Sequence, residues 1–292
     1  MELLNSGLRP EFVVTADPFY IKGPKNLAYF VKKLKVNIKY FLAKESFKQR
    51  FRPYFLAKST SIKTYEASEV NTKWFADTVK NSSIDYLFTF GFRILKEPII
   101  AAPKLGCINF HPAYLPFNRG ASPSQWVLSK AQKFTGLSFH EITKGIDEGA
   151  IIEQHKILIT GLESTKLLNQ LLFGIGEQLL VQIIYRLKNG MQIKRLNNEL
   201  DQGTYERPFK NSDCIIDAHS SLDEIKRLIA ACKDGSRFAS YQFEGQSYNI
   251  RHCIELTGEA ASNQAPYLSK DSNIVILTSD SKTALLIVDR SK

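Results

Sequence analysis

Apolar positions fall into short unbroken runs in the first half of the chain and into a helical stripe near its middle. EFVVTA (Glu11 to Ala16) reads as a buried strand, and SIKTYEA (Ser61 to Ala67) as a more polar one. IDYLFTF (Ile84 to Phe90) and LGCINFH (Leu105 to His111) are apolar runs of strand length. Asn71 is placed to cap a helix running to about Lys80, and Pro98 and Pro103 punctuate the connection between the last two strands. Strands alternating with helices predict a parallel or mixed sheet covered by helices.

Further on, Thr135 to Ile142 and Ala150 to Ile159 predict two more strands around the loop Thr143–Gly149. Ser164 then offers an N-cap. Leu167, Leu168, Leu171, Leu172, Ile175, Leu179, Leu180, Ile183 and Ile184 recur at helical spacing, and Asn189-Gly190 ends the pattern. Near residue 205 the texture changes. Ser221 to Cys232 predicts a short amphipathic helix, and Glu244-Gly245 a hairpin turn between Phe238–Phe243 and Tyr248–Ile254. Ile274–Leu277 and Ala284–Val288 complete the strands of a small β-rich tail, expected to form a barrel. The pattern thus predicts an α/β domain over residues 1–204 and a β-rich domain over 205–292.

Composition changes this picture little. The 292 residues are 43% hydrophobic and 23% charged, as in ordinary globular chains. No run of about 18 apolar residues predicts a membrane span. Cys107, Cys214, Cys232 and Cys253 form no CxxC pair, so no disulfide framework is implied and a reduced cytoplasmic setting fits. The net charge of +10 admits a polyanionic partner, or simply a solvated lysine-rich surface. The same two readings apply to Asn26–Lys58, which is basic and rich in Phe and Tyr. It is either a face for a phosphate-bearing partner or a membrane, or a helical insertion with solvated lysines.

The chemistry concentrates in CINFHPAYLPFNRGASPSQW, Cys107 to Trp126. Asn109 and His111 stand at i and i+2 on a strand, so both project from one face. Pro112 and Pro116 stiffen the loop that follows. Asp147, 38 positions beyond Asn109, lies in the glycine-flanked loop GIDEG, from which its carboxylate can bend back towards His111. An imidazole beside a carboxylate manages protons, and imidazolium with a side-chain amide can hold an oxyanion. Such a site needs no serine or cysteine nucleophile. His140 reads as a packed or surface residue, and His155, His219 and His252 suggest no role. The spacing of His111, His140 and Asp147 matches no familiar metal pattern.

HPAYLPFNRG resembles the HPSLLPxxRG loop, and TGLSFHEITKGIDEG the TGVTIHxMDxGxDTG loop, of the 10-formyltetrahydrofolate-dependent formyltransferases. That family includes glycinamide ribonucleotide formyltransferase, methionyl-tRNA formyltransferase and nucleotide-sugar N-formyltransferases. The resemblance implies a Rossmann-like catalytic domain with a small OB-like carboxy-terminal domain, joined at QGTYERP (Gln202 to Pro208). It implies formyl transfer from 10-formyltetrahydrofolate to a primary amine, with Asn109, His111 and Asp147 as catalytic residues. It places the folate against Phe88, Phe90, Gly91, Phe92, Arg93, Ile94 and Leu95, and against Ile142 and Lys144 of the Ile142–Asp147 loop. Tyr114 and Arg119 fall where the amine substrate would bind, and Arg119 either touches a phosphate or braces the loop.

Three positions depart from the family pattern: Ala113 stands for a serine, Tyr114 for a leucine and Glu148 for a threonine. The chain begins at MELLNSG, which resembles the end of the family's first helix, so the usual first strand is expected to be missing. The YLPFNRGASP wording is closer to the nucleotide-sugar enzymes than to the SLLPxWRGAAP of the tRNA enzymes. A nucleotide-linked amino sugar is therefore the expected acceptor, with methionyl-tRNA as the alternative and a non-catalytic binding relic as a third reading.

Overall fold

A computed structural model describes residues 10–15, 62–161, 163–217, 219–233, 237–257, 266–269, 271 and 273–288. Asn26–Lys58 and the start of the chain lie outside these residues. The chain divides into two units, Met1–Phe88 with Phe92–Cys107, and Thr89–Gly91 with Ile108–Lys292.

In the first unit, β1 (Phe12–Thr15) pairs in parallel with β2 (Lys63–Glu66). Helix α1 (Lys73–Asn81) buries Phe75, Ala76 and Val79, and Tyr65 of β2 meets Phe75 edge-on at 5.3 Å. Its cap is Thr72, whose hydroxyl accepts from Phe75 N at 3.2 Å, one residue later than the pattern predicts. The Asn71 amide is engaged elsewhere. It donates to the Ile94 carbonyl at 2.9 Å and accepts from Lys96 N–H at 2.8 Å, tying down the stretch after β3 (Tyr86–Phe90). A short helix α2 (Glu97–Ile100) carries Pro98 in its first turn, where proline is tolerated. Cys107 behaves as the small hydrophobe expected of it: it is buried, and burial pushes its thiol up to about 12.

A four-stranded sheet has the order β3, β4 (Gly106–His111), β6 (Phe134–Glu141), β7 (Ile151–Leu158). β4 and β6 are antiparallel, as are β6 and β7. Alternation divides the residues of the second unit between two faces. Phe90, Phe110 and Phe139 form one aromatic layer, with ring centroids 5.5–6.3 Å apart. Asn109, His111, Ser138 and His140 point the other way. Phe173 of helix α4 (Thr165–Lys188) reaches the aromatic layer, 4.9 Å from Phe110. Gly176 is required there, because a Cβ would stand 2.4 Å from the Phe110 ring.

Ser164 caps α4 as predicted, and Arg186 and Lys188 in its last turn suit the helix dipole. By length and composition alone α4 could cross a membrane. A stripe of Leu168, Leu172, Gly176, Leu180 and Ile183 is buried, while Leu167, Leu171 and Tyr185 on its other faces are exposed. Two short strands, β5 (Arg119–Gly120) and β8 (Tyr205–Glu206), pair in parallel, and helix α3 (Pro123–Ser129) follows β5.

Beyond them, α5 (Leu222–Cys232) opens with a capping box of Ser221 and Glu224. The expected hairpin forms between β9 (Ala239–Phe243) and β10 (Gln246–Leu256), with Glu244 (φ 47°) and Gly245 (φ 77°) both left-handed, as a type I′ turn requires. With β11 (Tyr267–Leu268), β12 (Ile274–Leu277) and β13 (Thr283–Val288) these strands make a five-stranded antiparallel sheet ordered β11-β12-β13-β10-β9. Ser221→Ala, which removes the hydroxyl accepting from Glu224 N–H, should cost about 1 kcal/mol in urea unfolding.

Candidate active site

The sheet face opposite the aromatic layer carries the candidate chemistry. Strand register sets Asn109 opposite His140 and His111 opposite Ser138. The loop after β6 then brings Asp147 over them, with its own backbone at φ 53°. Asp147 Oδ2 lies 3.5 Å from His111 Nδ1, and Oδ1 lies 3.3 Å from His140 Nε2 and 3.5 Å from Asn109 Nδ2. The Gly120 N–H donates to Oδ2 at 2.8 Å. The three residues singled out from the sequence therefore converge.

Hydrogen bonding fixes which atom faces which. His111 Nε2 is 2.9 Å from the Asn118 carbonyl oxygen and must carry a hydrogen. A neutral His111 then has its lone pair on Nδ1, beside the carboxylate. The Nδ1 of His140 is 2.9 Å from the Glu141 carbonyl and must carry a hydrogen, and its Nε2 stands 3.1 Å from Asn109 Nδ2 and 3.3 Å from Asp147 Oδ1. The Thr89 hydroxyl donates to Asn109 Oδ1 at 2.7 Å. Asn109 thus keeps its N–H side towards His140 and Asp147.

His111 is 4% exposed and His140 2% exposed. Burial pulls the His111 imidazole below its ordinary value of 6.5, and His140 adds to this; the Asp147 charge and the Asn118 carbonyl oppose without reversing it. Burial alone would raise the Asp147 carboxyl. The His140 bond, the His111 ring and the Gly120 N–H together outweigh that and hold it at about 2. At neutral pH the pair is a carboxylate beside an uncharged imidazole ready to accept a proton.

The remaining predicted residues are placed as follows. The Phe90 ring belongs to the aromatic layer, so only its backbone can serve a ligand on the site face. Gly91 follows it with φ 56°. Phe88 and Phe92 are half-buried, Arg93 lies 5.9 Å over the Phe92 ring, Ile94 is exposed and Leu95 is buried. In the second unit, Ile142 is half-buried and Lys144 exposed. Tyr114 packs edge-on against Phe134 with the Lys156 ammonium 5.5 Å from its ring centroid. Arg119 Nη1 pairs with Glu148 Oε1 at 3.2 Å, so the glutamate that departs from the family pattern is what engages this arginine.

Sequence reasoning passed over His140, Thr89, Asn118 and Gly120. The sequence pattern reads His140 as packed or surface. It is packed, but directly against Asn109 and Asp147. Its one sequence signal is parity: Ser138 and His140 share a face, and only the register with β4 shows which face that is. The other three act through a hydroxyl, a carbonyl and an N–H that no motif advertises.

An amide and an imidazole on the sheet face thus meet a carboxylate from the following loop, with no serine or cysteine among the three. The sequence matches the formyl transferase family over residues 34–184, about half of the chain, and the chain belongs to that family. It is 28% identical over 177 residues to the methionyl-tRNA formyltransferase of Thermotoga maritima, covering 60% of this chain and 56% of that protein. It is 36% identical over 163 residues to the bifunctional polymyxin resistance protein ArnA of Wigglesworthia glossinidia brevipalpis, covering 55% of this chain and 24% of that one. The chain thus spans little more than half of the first relative and a quarter of the second. The fold is also that of the N-formyltransferase from Helicobacter canadensis, solved with folinic acid and dTDP-3-aminofucose. The TM-score is 0.59 at 18% identity, over 80% of this chain and 82% of that one.

Proposed function

We propose that the chain transfers a formyl group from 10-formyltetrahydrofolate to the primary amine of a nucleotide-linked amino sugar. The observation that carries this is the convergence of Asn109, His111 and Asp147 on one face within 3.5 Å of one another through Asp147. The folate supplies the formyl carbon that a neutral amine attacks. His111 Nδ1, uncharged because burial lowers its affinity for protons, takes the amine proton. The imidazolium so formed is balanced by Asp147, and its proton goes on to the departing folate nitrogen. The Asn109 N–H side meets the charge developing on the formyl oxygen. The new carbon–nitrogen bond to the amine replaces the one to the folate.

The charge of residues 205–292 does not favour a polynucleotide acceptor. Residues 205–292 hold eleven Lys and Arg against twelve Asp and Glu, so this part offers no basic surplus for a polynucleotide. Nine Lys and Arg against one acidic residue lie in 26–58 instead. The structural neighbour's complex with dTDP-3-aminofucose supports the same reading. Methionyl-tRNA is the second reading, favoured by the names of the sequence relatives.

The test is to incubate the chain and 10-formyltetrahydrofolate with dTDP-linked 3- and 4-amino sugars and with methionyl-tRNA. Tetrahydrofolate release with an amino sugar is expected. Release only with tRNA, with steep salt dependence, would move the assignment to the second reading. No release with any amine would leave the binding relic.

A further inference from the structure

The segment Leu196–Glu206, between α4 and the carboxy-terminal sheet, bonds in turn to both loops that build the site. Leu196 exchanges two backbone hydrogen bonds with Ile151, at 2.9 and 2.8 Å, just beyond the Asp147 loop. The side chain of Asn198, 5% exposed, donates to the carbonyl of Asp147 at 2.9 Å and to that of Gly149 at 3.3 Å. Turning the amide over would set its oxygen against two carbonyls, so this orientation is fixed. Its Oδ1 is buried with no hydrogen-bond partner among the described residues.

At the other end, Thr204 N–H donates to the Pro116 carbonyl at 3.2 Å, and the Thr204 hydroxyl accepts from Asn118 N–H at 2.8 Å. The Thr204 carbonyl accepts from Arg119 N–H, and the Glu206 carbonyl from Ala121 N–H, both at 2.9 Å. These bonds hold the stretch whose Asn118 carbonyl orients His111 and whose Gly120 N–H holds Asp147. A cut between Thr204 and Tyr205, where the sequence suggests the two domains meet, falls inside this segment.

We propose that Leu196–Glu206 is a positioning element of the reacting centre, and that Asn198 is the residue through which it sets Asp147. Asp147 holds a left-handed backbone, φ 53°, a region sparsely populated by residues other than glycine though more open to aspartate than to most. That turn is what aims the carboxylate at His111 and Gly120, and the Asn198 amide pins the carbonyls on either side of Glu148. Asn198 touches neither reactant. It acts through Asp147, and the inference rests on the reading of His111 and Asp147 as the reacting pair.

The experiment is Asn198→Leu in the full chain, followed by amide hydrogen exchange and by kinetics with 10-formyltetrahydrofolate and a dTDP-linked amino sugar. The Gly120 amide, whose acceptor is the Asp147 carboxylate, is expected to exchange about tenfold faster or more, while the Leu137 amide in β6 keeps its rate. The kcat is expected to fall about tenfold with KM for both reactants changed less than about threefold. Asn198→Gln, which keeps an amide donor, should recover most of both losses. An unchanged Gly120 amide in Asn198→Leu would overturn the positioning role whatever the kinetics show. A fast Gly120 amide in a protein whose wild type releases no tetrahydrofolate would uphold the positioning element and remove the formyl-transfer reading. Should Asn198→Leu fail to fold, Thr204→Val removes only the acceptor of Asn118 N–H. A wild-type exchange rate at Asn118 in that variant would overturn the proposal equally.

Discussion

Asp147→Asn is expected to lower kcat for formyl transfer by about a thousandfold, near the middle of the range for a lost proton-managing group. The substitution keeps the side-chain volume and leaves an oxygen for the Gly120 N–H. What it removes is the charge that favours protonation of His111. Without it, an imidazole already depressed by burial is depressed further, and accepting the amine proton becomes harder. Stability should respond with a defined pH dependence. The Asp147 carboxyl titrates at about 2 in the fold, against about 3.9 in an unfolded chain. The folded state therefore favours the carboxylate, by roughly 2–3 kcal/mol. That contribution is fully present above pH ~4 and is lost as pH falls towards 2. Asp147→Asn should be the less stable protein at neutral pH, with the gap to wild type closing in acid. Urea unfolding at several pH values measures the gap, and initial rates with an amino-sugar acceptor measure the chemistry. Full turnover in this variant would end the assignment of Asp147.

Local rules read most elements well, because their signals are local. Ser164 caps the helix it was expected to cap, and the short helix expected from Ser221 starts there, with Ser221 as its cap. Glu244-Gly245 makes the predicted turn. The cap of α1 falls at Thr72 because the Asn71 amide is taken by Ile94 and Lys96, more than twenty positions away, and no neighbouring residue signals that. The site divides along the same line. Asn109, His111 and Asp147 were legible as residue types in two distinctive loops. Their partners were not, because Thr89, His140 and Asn198 reach the site through strand register or through a connector up to 51 positions distant. The Thr-to-Glu change at 148 was visible in the sequence, but its consequence, an ion pair with Arg119, needed the geometry of both loops.

The aromatic layer behind the site should dominate stability. Phe110 sits between Asn109 and His111 on β4 and points to the opposite face, 2% exposed. Phe90, Phe139 and Phe173 surround its ring, and Gly176 leaves room for it with no side chain of its own. Phe110→Ala empties that space where neighbouring aromatics cannot readily collapse, so it should cost about 3–5 kcal/mol. Against a typical total of about 5–15 kcal/mol this is a large share. Phe110→Leu retains most of the volume and should cost less than half as much. The two variants also separate stability from chemistry. The ring anchors the strand whose flanking residues carry the amide and the imidazole, so a loosened β4 should lose turnover at temperatures where the protein is still folded. Chemical denaturation supplies the stability difference, and activity measured well below the midpoint supplies the rest. A loss under about 1 kcal/mol for Phe110→Ala would mean that α4 and the sheet do not share a close-packed core at this point.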